Sequence, residues 1–285
     1  MSVSSRPAVQ ELAPPGAAFD DGLRRAVREL WTYRDLLQQI TLRDVRIRYK
    51  QAVMGFAWAI LMPALIVAAG TLVRAAMAHV GNRELDLREV AGVAVKALPW
   101  AFFVGTLGFA TNSLTGNMNL VTKVYFPRAL LPLAAVIVPM VDYVVGLPVL
   151  IALMWVYDTW PGGLEVFAAP LFMGLALLTA LGAGFFLSAL NVRYRDVRYV
   201  IPVFLSVLPL LSGVMYAVHS IPEKWQWVLS LNPMTAVISG VRWSVLDAAA
   251  PNWWQIAVGV AVAAGVFVVG LAVFRASEPK FADTI

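Results

Sequence analysis

Long apolar runs, separated by short polar and basic segments, set the pattern of this chain. The runs are Gly55–Ala78, Gly92–Ala110, Ala129–Tyr157, Phe167–Leu190, Tyr199–Val218 and Trp254–Phe274. Each is long enough to cross a hydrocarbon core of about 30 Å as a helix. Between the fifth and sixth runs lie two shorter apolar stretches, Pro222–Leu231 and Thr235–Leu246, separated by Asn232-Pro233. They are too short to cross, and the pattern predicts a re-entrant pair of half-helices, with helices lying flat on the surface as the alternative. Trp225, Trp227 and Trp243 on these stretches suit a membrane interface. The expected fold is an all-α integral membrane protein with six transmembrane helices.

Upstream of the first run the periodicity changes. Leu30, Tyr33, Leu37 and Ile40 recur at helical spacing, with Arg34, Asp35, Gln38 and Gln39 on other faces. This predicts an amphipathic helix at the membrane interface. Thr41-Leu42-Arg43-Asp44 fits a capping box, so the helix is expected to break there and a second short helix to follow. The domain boundaries expected are a disordered cytoplasmic extension over 1–28 and an interface helix with elbow over 29–50. A six-span domain over 51–276 and a cytoplasmic tail over 277–285 complete the chain.

Charge orients the spans. Arg43, Arg46, Arg48 and Lys50 abut the first apolar run, and no acid follows Asp44 until Glu84. Segments 1–54, 111–128, 191–198 and 275–285 hold 16 of the 22 cationic residues. Both termini are therefore expected in the cytoplasm, by the positive-inside rule. Composition agrees: 60% of residues are hydrophobic and 14% charged, against about 45–50% and 25% in a soluble domain. The net charge of +5 arises beside the apolar runs and is no sign of nucleic-acid binding. Without cysteine, and with only His79 and His219, thiolate metal sites are excluded and a histidine site is disfavoured.

Catalytic motifs are missing as well. There is no G-x-x-x-x-G-K-[ST] phosphate loop, no H-E-x-x-H and no G-x-S-x-G. A pathway through the membrane fits better than an enzyme, and no catalytic or metal-binding residue is assigned. Asp142 stands out midway along the third run, where a carboxylate costs about 2.5–3.5 kcal/mol on insertion scales. It must face the bundle interior, with Arg74, Lys96 or Arg242 as candidate partners, either as a helix–helix contact or against substrate.

Three stretches carry a resemblance. The first is Arg43-Asp44-Val45-Arg46-Ile47-Arg48-Tyr49-Lys50-Gln51 with Met54-Gly55-Phe56-Ala57-Trp58 and Pro63. The second runs from Asn117 through Asn119, Lys123, Tyr125, Phe126 and Pro127 to Arg128, then Leu131-Pro132-Leu133-Ala134. The third is Leu190 to Tyr199, including Arg193, Arg195, Asp196 and Arg198, with Leu231-Asn232-Pro233-Met234 downstream. In order and spacing, from about Trp31 to Phe274, they resemble the permease subunit of polysaccharide-exporting ABC transporters, which handle O-antigens, teichoic acids and capsules.

That resemblance implies a homodimer in the bacterial inner membrane enclosing a sugar channel, and two copies of a separate ATP-binding cassette subunit docked beneath it. ATP and magnesium would belong to that partner, and this chain would hold no cofactor. It assigns ATPase coupling to Asn117, Asn119, Lys123, Tyr125, Phe126, Pro127 and Arg128. Thr115 and Asn117 can cap that segment and Pro127 can end it; an ordinary basic loop is the plain alternative. The interface helix maps onto Glu29–Ile40, and channel-closing outer helices onto Pro222–Leu246. Arg-Asp-Val-Arg occurs at Arg43–Arg46 and again at Arg195–Arg198. Chance reuse of a surface motif explains the repeat; alternatively Arg43, Arg46, Arg48, Lys50, Arg195 and Arg198 hold the phosphate of lipid-linked polysaccharide at a lateral opening. Channel candidates are Trp58, Phe204, Tyr216, Trp225 and Trp243, with Asp142 and Arg242 as intramembrane polar groups. Membrane lipids and periplasmic export proteins complete the expected partners. An ABC exporter of a drug or another lipid is the alternative; a secondary transporter is disfavoured by the scarcity of intramembrane acids.

Overall fold

The computed structural model describes residues 28, 31–50, 57–80, 87–124, 126–214, 221–246 and 249–281. The expected N-terminal extension, Tyr125 and Tyr216 lie outside them, as do the side chains of Lys50, Trp58 and Arg74. All regular structure among the described residues is helical. The helices are α1 (Arg34–Lys50), α2 (Ala57–Val80), α3 (Leu87–Asn112), α4 (Met118–Lys123) and α5 (Leu130–Val156). After them come α6 (Ala169–Arg193), α7 (Val197–Val207), α8 (Glu223–Ser230), α9 (Pro233–Leu246) and α10 (Trp253–Ser277). Among the described residues, four stretches are long and apolar enough to cross a membrane: Ala91–Asn112, Leu130–Val156, Leu164–Arg193 and Trp253–Lys280. Helix α2 adds 24 residues over the first expected span.

Helix α3 is central. Every residue from Ala91 to Trp100 is buried, because α3 packs on α2, α5, α6 and α9. The main core joins Phe102 and Phe103 of α3 to Leu150 of α5, Phe172 of α6 and Val237 of α9. Helix α10 lies along α6, and their approach depends on missing side chains. A Cβ on Gly270 would overlap the Gly182 carbonyl, and one on Gly182 would overlap the Phe267 backbone. Small residues are what let helices pack closely where hydrophobic exclusion of water does not drive association.

Helix α1 departs from expectation in two ways. It runs unbroken through Thr41, which is buried in mid-helix with its hydroxyl unbonded, while Asp44 bonds Arg43 instead of closing a capping box. Nor does it lie across the bundle. Ile40 joins an apolar cluster with Leu130 and Leu131 at the start of α5, whereas Tyr49 reaches Asp142 farther along. At 1.5 Å per residue these nine positions of α1 cover about 14 Å, so α1 descends beside α5.

The fifth run also differs. It is not one helix from Tyr199 to Val218: α7 ends at Val207, continues as a 3-10 turn over Leu208–Leu211, and turns at Gly213 with φ 67°. That piece is about 24 Å long, short of the ~30 Å core. Its freed carbonyls find donors. Asn232 Nδ2 donates to the Leu211 oxygen at 3.1 Å and to Ser212 Oγ at 2.8 Å. Lys96 Nζ donates to the Gly213 oxygen at 3.3 Å. Irregular backbone at membrane depth needs such partners.

Candidate functional site

One end of the bundle gathers Lys123, Arg128, Arg193, Arg195, Arg198 and Arg275, and is here called the basic end. There the 3-10 turn Thr115–Asn117 leads into α4, whose six residues are held by their apolar side. Val121 and Phe126 are buried in a cluster with Leu114, Leu130, Phe185, Phe274 and Phe281. The opposite side of the segment, Met118, Asn119, Thr122, Lys123 and Val124, is exposed. An inward apolar anchor with a mixed apolar and basic outer face describes a short helix fixed to the bundle and presented for contact.

Polar ties hold both flanks. Arg43 donates to Asn117 Oδ1 at 2.6 Å while also bonding Asp44 Oδ1 at 2.7 Å, and Asn117 Nδ2 donates to the Ser113 oxygen at 2.8 Å. Asn117 therefore links the segment to α1 and does not cap it; Thr115 likewise makes no cap bond, its hydroxyl approaching the Asn112 oxygen at 3.5 Å. On the far side, the Arg128 N–H donates to Glu278 Oε1 at 3.0 Å and its guanidinium to the Glu278 carbonyl. Phe281 then packs edge-on against Phe274, centroids 5.4 Å apart. The chain after α10 thus folds back onto the segment, where a plain tail was expected. Glu278 and Phe281 were missed, although a lone phenylalanine in a polar tail is a signal that something covers it.

The basic residues divide. Arg195 and Arg198 line one cavity, of about 270 Å³, with Asn112, Thr115 and Asn191. Arg43, Arg46 and Arg48 are not among its lining residues. Arg48 instead pairs with Asp142 at 2.5 Å and stacks on Phe109, its guanidinium 4.8 Å from the ring centroid. Tyr49 donates a hydrogen bond to the other oxygen of Asp142.

Asp142 therefore answers to α1, and not to Lys96 or Arg242 as expected; the side chain of Arg74, the third candidate, lies outside the described residues. Lys96 is engaged at Gly213, and no ion pair joins Arg242 to Asp142. Among the channel candidates, Phe204 and Trp225 are exposed, while Trp243 packs edge-on against Trp253 with centroids 5.4 Å apart. Met234, at the expected tip of the hairpin, is fully buried in the main core. Among the described residues no group of three or more acidic, histidine or cysteine side chains gathers to hold a metal ion.

Residues 35–246 match the family described as ABC-2 type transporter. The chain is 27% identical over 263 residues to an O-antigen export system permease protein, RfbA, of Myxococcus xanthus, covering 92% of this chain and 99% of that protein. It is 27% identical over 254 residues to an RfbA of Klebsiella pneumoniae, covering 88% and 95%. With the polysialic acid transport protein KpsM of Escherichia coli it shares 24% identity over 220 residues, covering 74% and 81%. The chain belongs to the ABC-2 type transporter family, as one of its membrane permeases.

Proposed function

We propose that this chain is the membrane permease of an ATP-driven exporter that moves lipid-linked polysaccharide across the bacterial inner membrane. Two copies would form the channel, with an ATP-binding cassette subunit docked under each. Six crossings put both termini in the cytoplasm, and α8 with α9 re-enters from the outer side. In this reading the basic end faces the cytoplasm, as its arginines and lysines favour. The export permeases it is similar to supply the substrate class.

The observation that carries the proposal is the build of the Met118–Arg128 segment. Its inner side is locked to α1, α5, α6 and α10, so a push on its outer face moves spans rather than a loop. Met118, Asn119, Lys123 and Val124 offer the ATPase a contact surface. Replacing Asn119 and Lys123 with Glu and Met118 with Asp leaves every buried residue in place. Such a variant should reach the membrane at parental level but lose at least about tenfold of its export, because repulsion and lost apolar contact at an interface cost a few kcal/mol. Export and co-purification of the ATPase are the measurements. Parental values for both would remove the segment from coupling.

A further inference from the structure

Helix α4 has six residues, too few to hold a helical turn without outside support. Beyond Lys123 the chain leaves the helix, with Val124 extended at φ −124° and ψ 133°, and α5 begins at Leu130. The Pro127 and Arg128 carbonyls accept from Leu130 and Leu131 N–H at 3.1 and 3.2 Å. The Arg128 N–H, however, is one of the donors that a helix start cannot satisfy, and Ala129 at the N-cap offers no side-chain acceptor. Glu278 supplies the acceptor from 150 positions away, its Oε1 taking the Arg128 N–H at 3.0 Å. A carboxylate there also suits the positive end of the α5 dipole. The turn that carries Glu278 is itself pinned. The Phe281 N–H closes it onto the Glu278 carbonyl, Pro279 presets its backbone, and the Arg128 guanidinium donates to that same carbonyl. Phe281, 2% exposed, then enters the core on which Val121 and Phe126 of the segment rest.

We infer that Glu278 and Phe281 are positioning residues: the turn after α10 holds the Met118–Arg128 segment in the posture from which it passes the ATPase's motion to α5. This assignment rests on the permease reading above and adds the part of the chain that keeps the transmission stiff. Without the turn, a push on the exposed face of α4 tilts the segment about its apolar anchor and is spent in the extended stretch after Lys123. With it, the push meets a flank tied through Arg128 to the first turn of α5, and through Phe281 and Phe274 to α10. Glu278 acts here as an oxygen acceptor for a backbone N–H, which separates its role from that of a surface charge.

Two nitroxide labels on the full chain in lipid nanodiscs test this, the absence of native cysteine leaving each one alone. A label on Thr122→Cys, on the exposed face of α4, reports the posture of the segment without the ATPase. Glu278→Ala should shorten its correlation time at least about twofold, because local order at this flank rests on the bond removed. A label on Ile137→Cys, exposed on α5, reports transmission in the complex with the ATPase. ATP should change its spectrum, and Glu278→Ala should cut that change at least about fivefold, the weight of one hydrogen bond, while ATP hydrolysis stays parental. Glu278→Gln keeps the acceptor and should return both readings to within about twofold of parental. Phe281→Ala should act as Glu278→Ala does; if it does not fold, the two Glu278 variants, at a half-buried position, still decide. Leu150→Ala opens a gap in the main core and controls for general loss of stability: it should lower the melting temperature and leave the ATP-driven change intact. Parental spectra in Glu278→Ala, equal losses in Glu278→Gln, or the same loss in Leu150→Ala would each overturn the inference. So would an Ile137 label that ignores ATP in the parental complex. A parental chain that retains no ATP-binding cassette subunit on purification would sink the permease reading instead, and the Thr122 spectra would then still show whether the turn holds the segment.

Discussion

Asp142 shows how a single side chain joins two elements. Its carboxylate lies in mid-span and takes a guanidinium from Arg48 and a phenol from Tyr49, which satisfy its charge away from water. A buried pair contributes little net stability over an apolar replacement, but stranding one partner costs about 3–5 kcal/mol when burial is complete. Both side chains here retain about a fifth of their exposure, 23% and 17%, so we expect about 1–3 kcal/mol. Asp142→Asn keeps the Tyr49 bond and strands Arg48. It should lower thermal stability in detergent, and Arg48→Gln should do so similarly. The double variant Arg48→Gln with Asp142→Asn should recover most of the loss. Additive losses in that cycle would show that the two charges do not act as a pair. The acid was legible from its depth in an apolar run; its partner was not. Hydropathy points only to cations inside the runs, because Arg48 belongs to a helix whose amphipathic pattern says only that it meets apolar surroundings, not at what angle.

At the scale of elements, hydropathy read the helices well where their ends coincide with polar residues and poorly where they do not. The two short helices around Asn232 were legible, α8 and α9 falling within a few residues of the expected stretches. The end of α7 was not. Apolar residues continue past it to Val218, and a hydropathy profile counts side chains and ignores the backbone. The signals were Pro209 at the start of the 3-10 turn and Ser212-Gly213, where a left-handed φ favours glycine. Asn232 closes this region from both sides. Its Oδ1 accepts from the Met234 N–H at 3.0 Å and so caps α9, while its Nδ2 holds the end of α7. Asn232→Ala loses both and should cost about 1–3 kcal/mol; Asn232→Ser keeps the cap and should cost roughly half. Thermal unfolding of the reconstituted protein measures each. Equal losses for the two variants would mean that the cap carries no weight, and no loss in Asn232→Ser would mean that the tie to α7 carries none.

The whole molecule is organised from the basic end. Helix α1, the α4 segment and the chain after α10 meet there in one apolar cluster, although they are far apart in sequence. Sequence spacing could place each near a membrane surface but could not show that Ile40, Phe126 and Phe281 share a core, because that depends on how α5, α6 and α10 pack. If this end is inside the cell and the chain crosses six times, as proposed, the turn between α5 and α6 lies outside. Asp158 takes a left-handed φ of 49° there, and Trp160 is exposed. Thr122, on the outer face of α4, is exposed at the opposite end. The absence of cysteine lets single cysteines report on both without background. In intact spheroplasts an impermeant maleimide should label Trp160→Cys and not Thr122→Cys. In inside-out vesicles the pattern should reverse. A cysteine at Lys280, on the short turn after α10, should behave as Thr122→Cys does, since Arg128 and Glu278 bind that turn to the α4 segment. Labelling of Thr122→Cys in spheroplasts would invert the protein and take its basic end away from any cytoplasmic ATPase. Labelling of Lys280→Cys alone from outside would instead demand an odd number of crossings. That outcome would contradict the packing of Phe281 against Phe274 and Phe126 in the same cluster as Ile40.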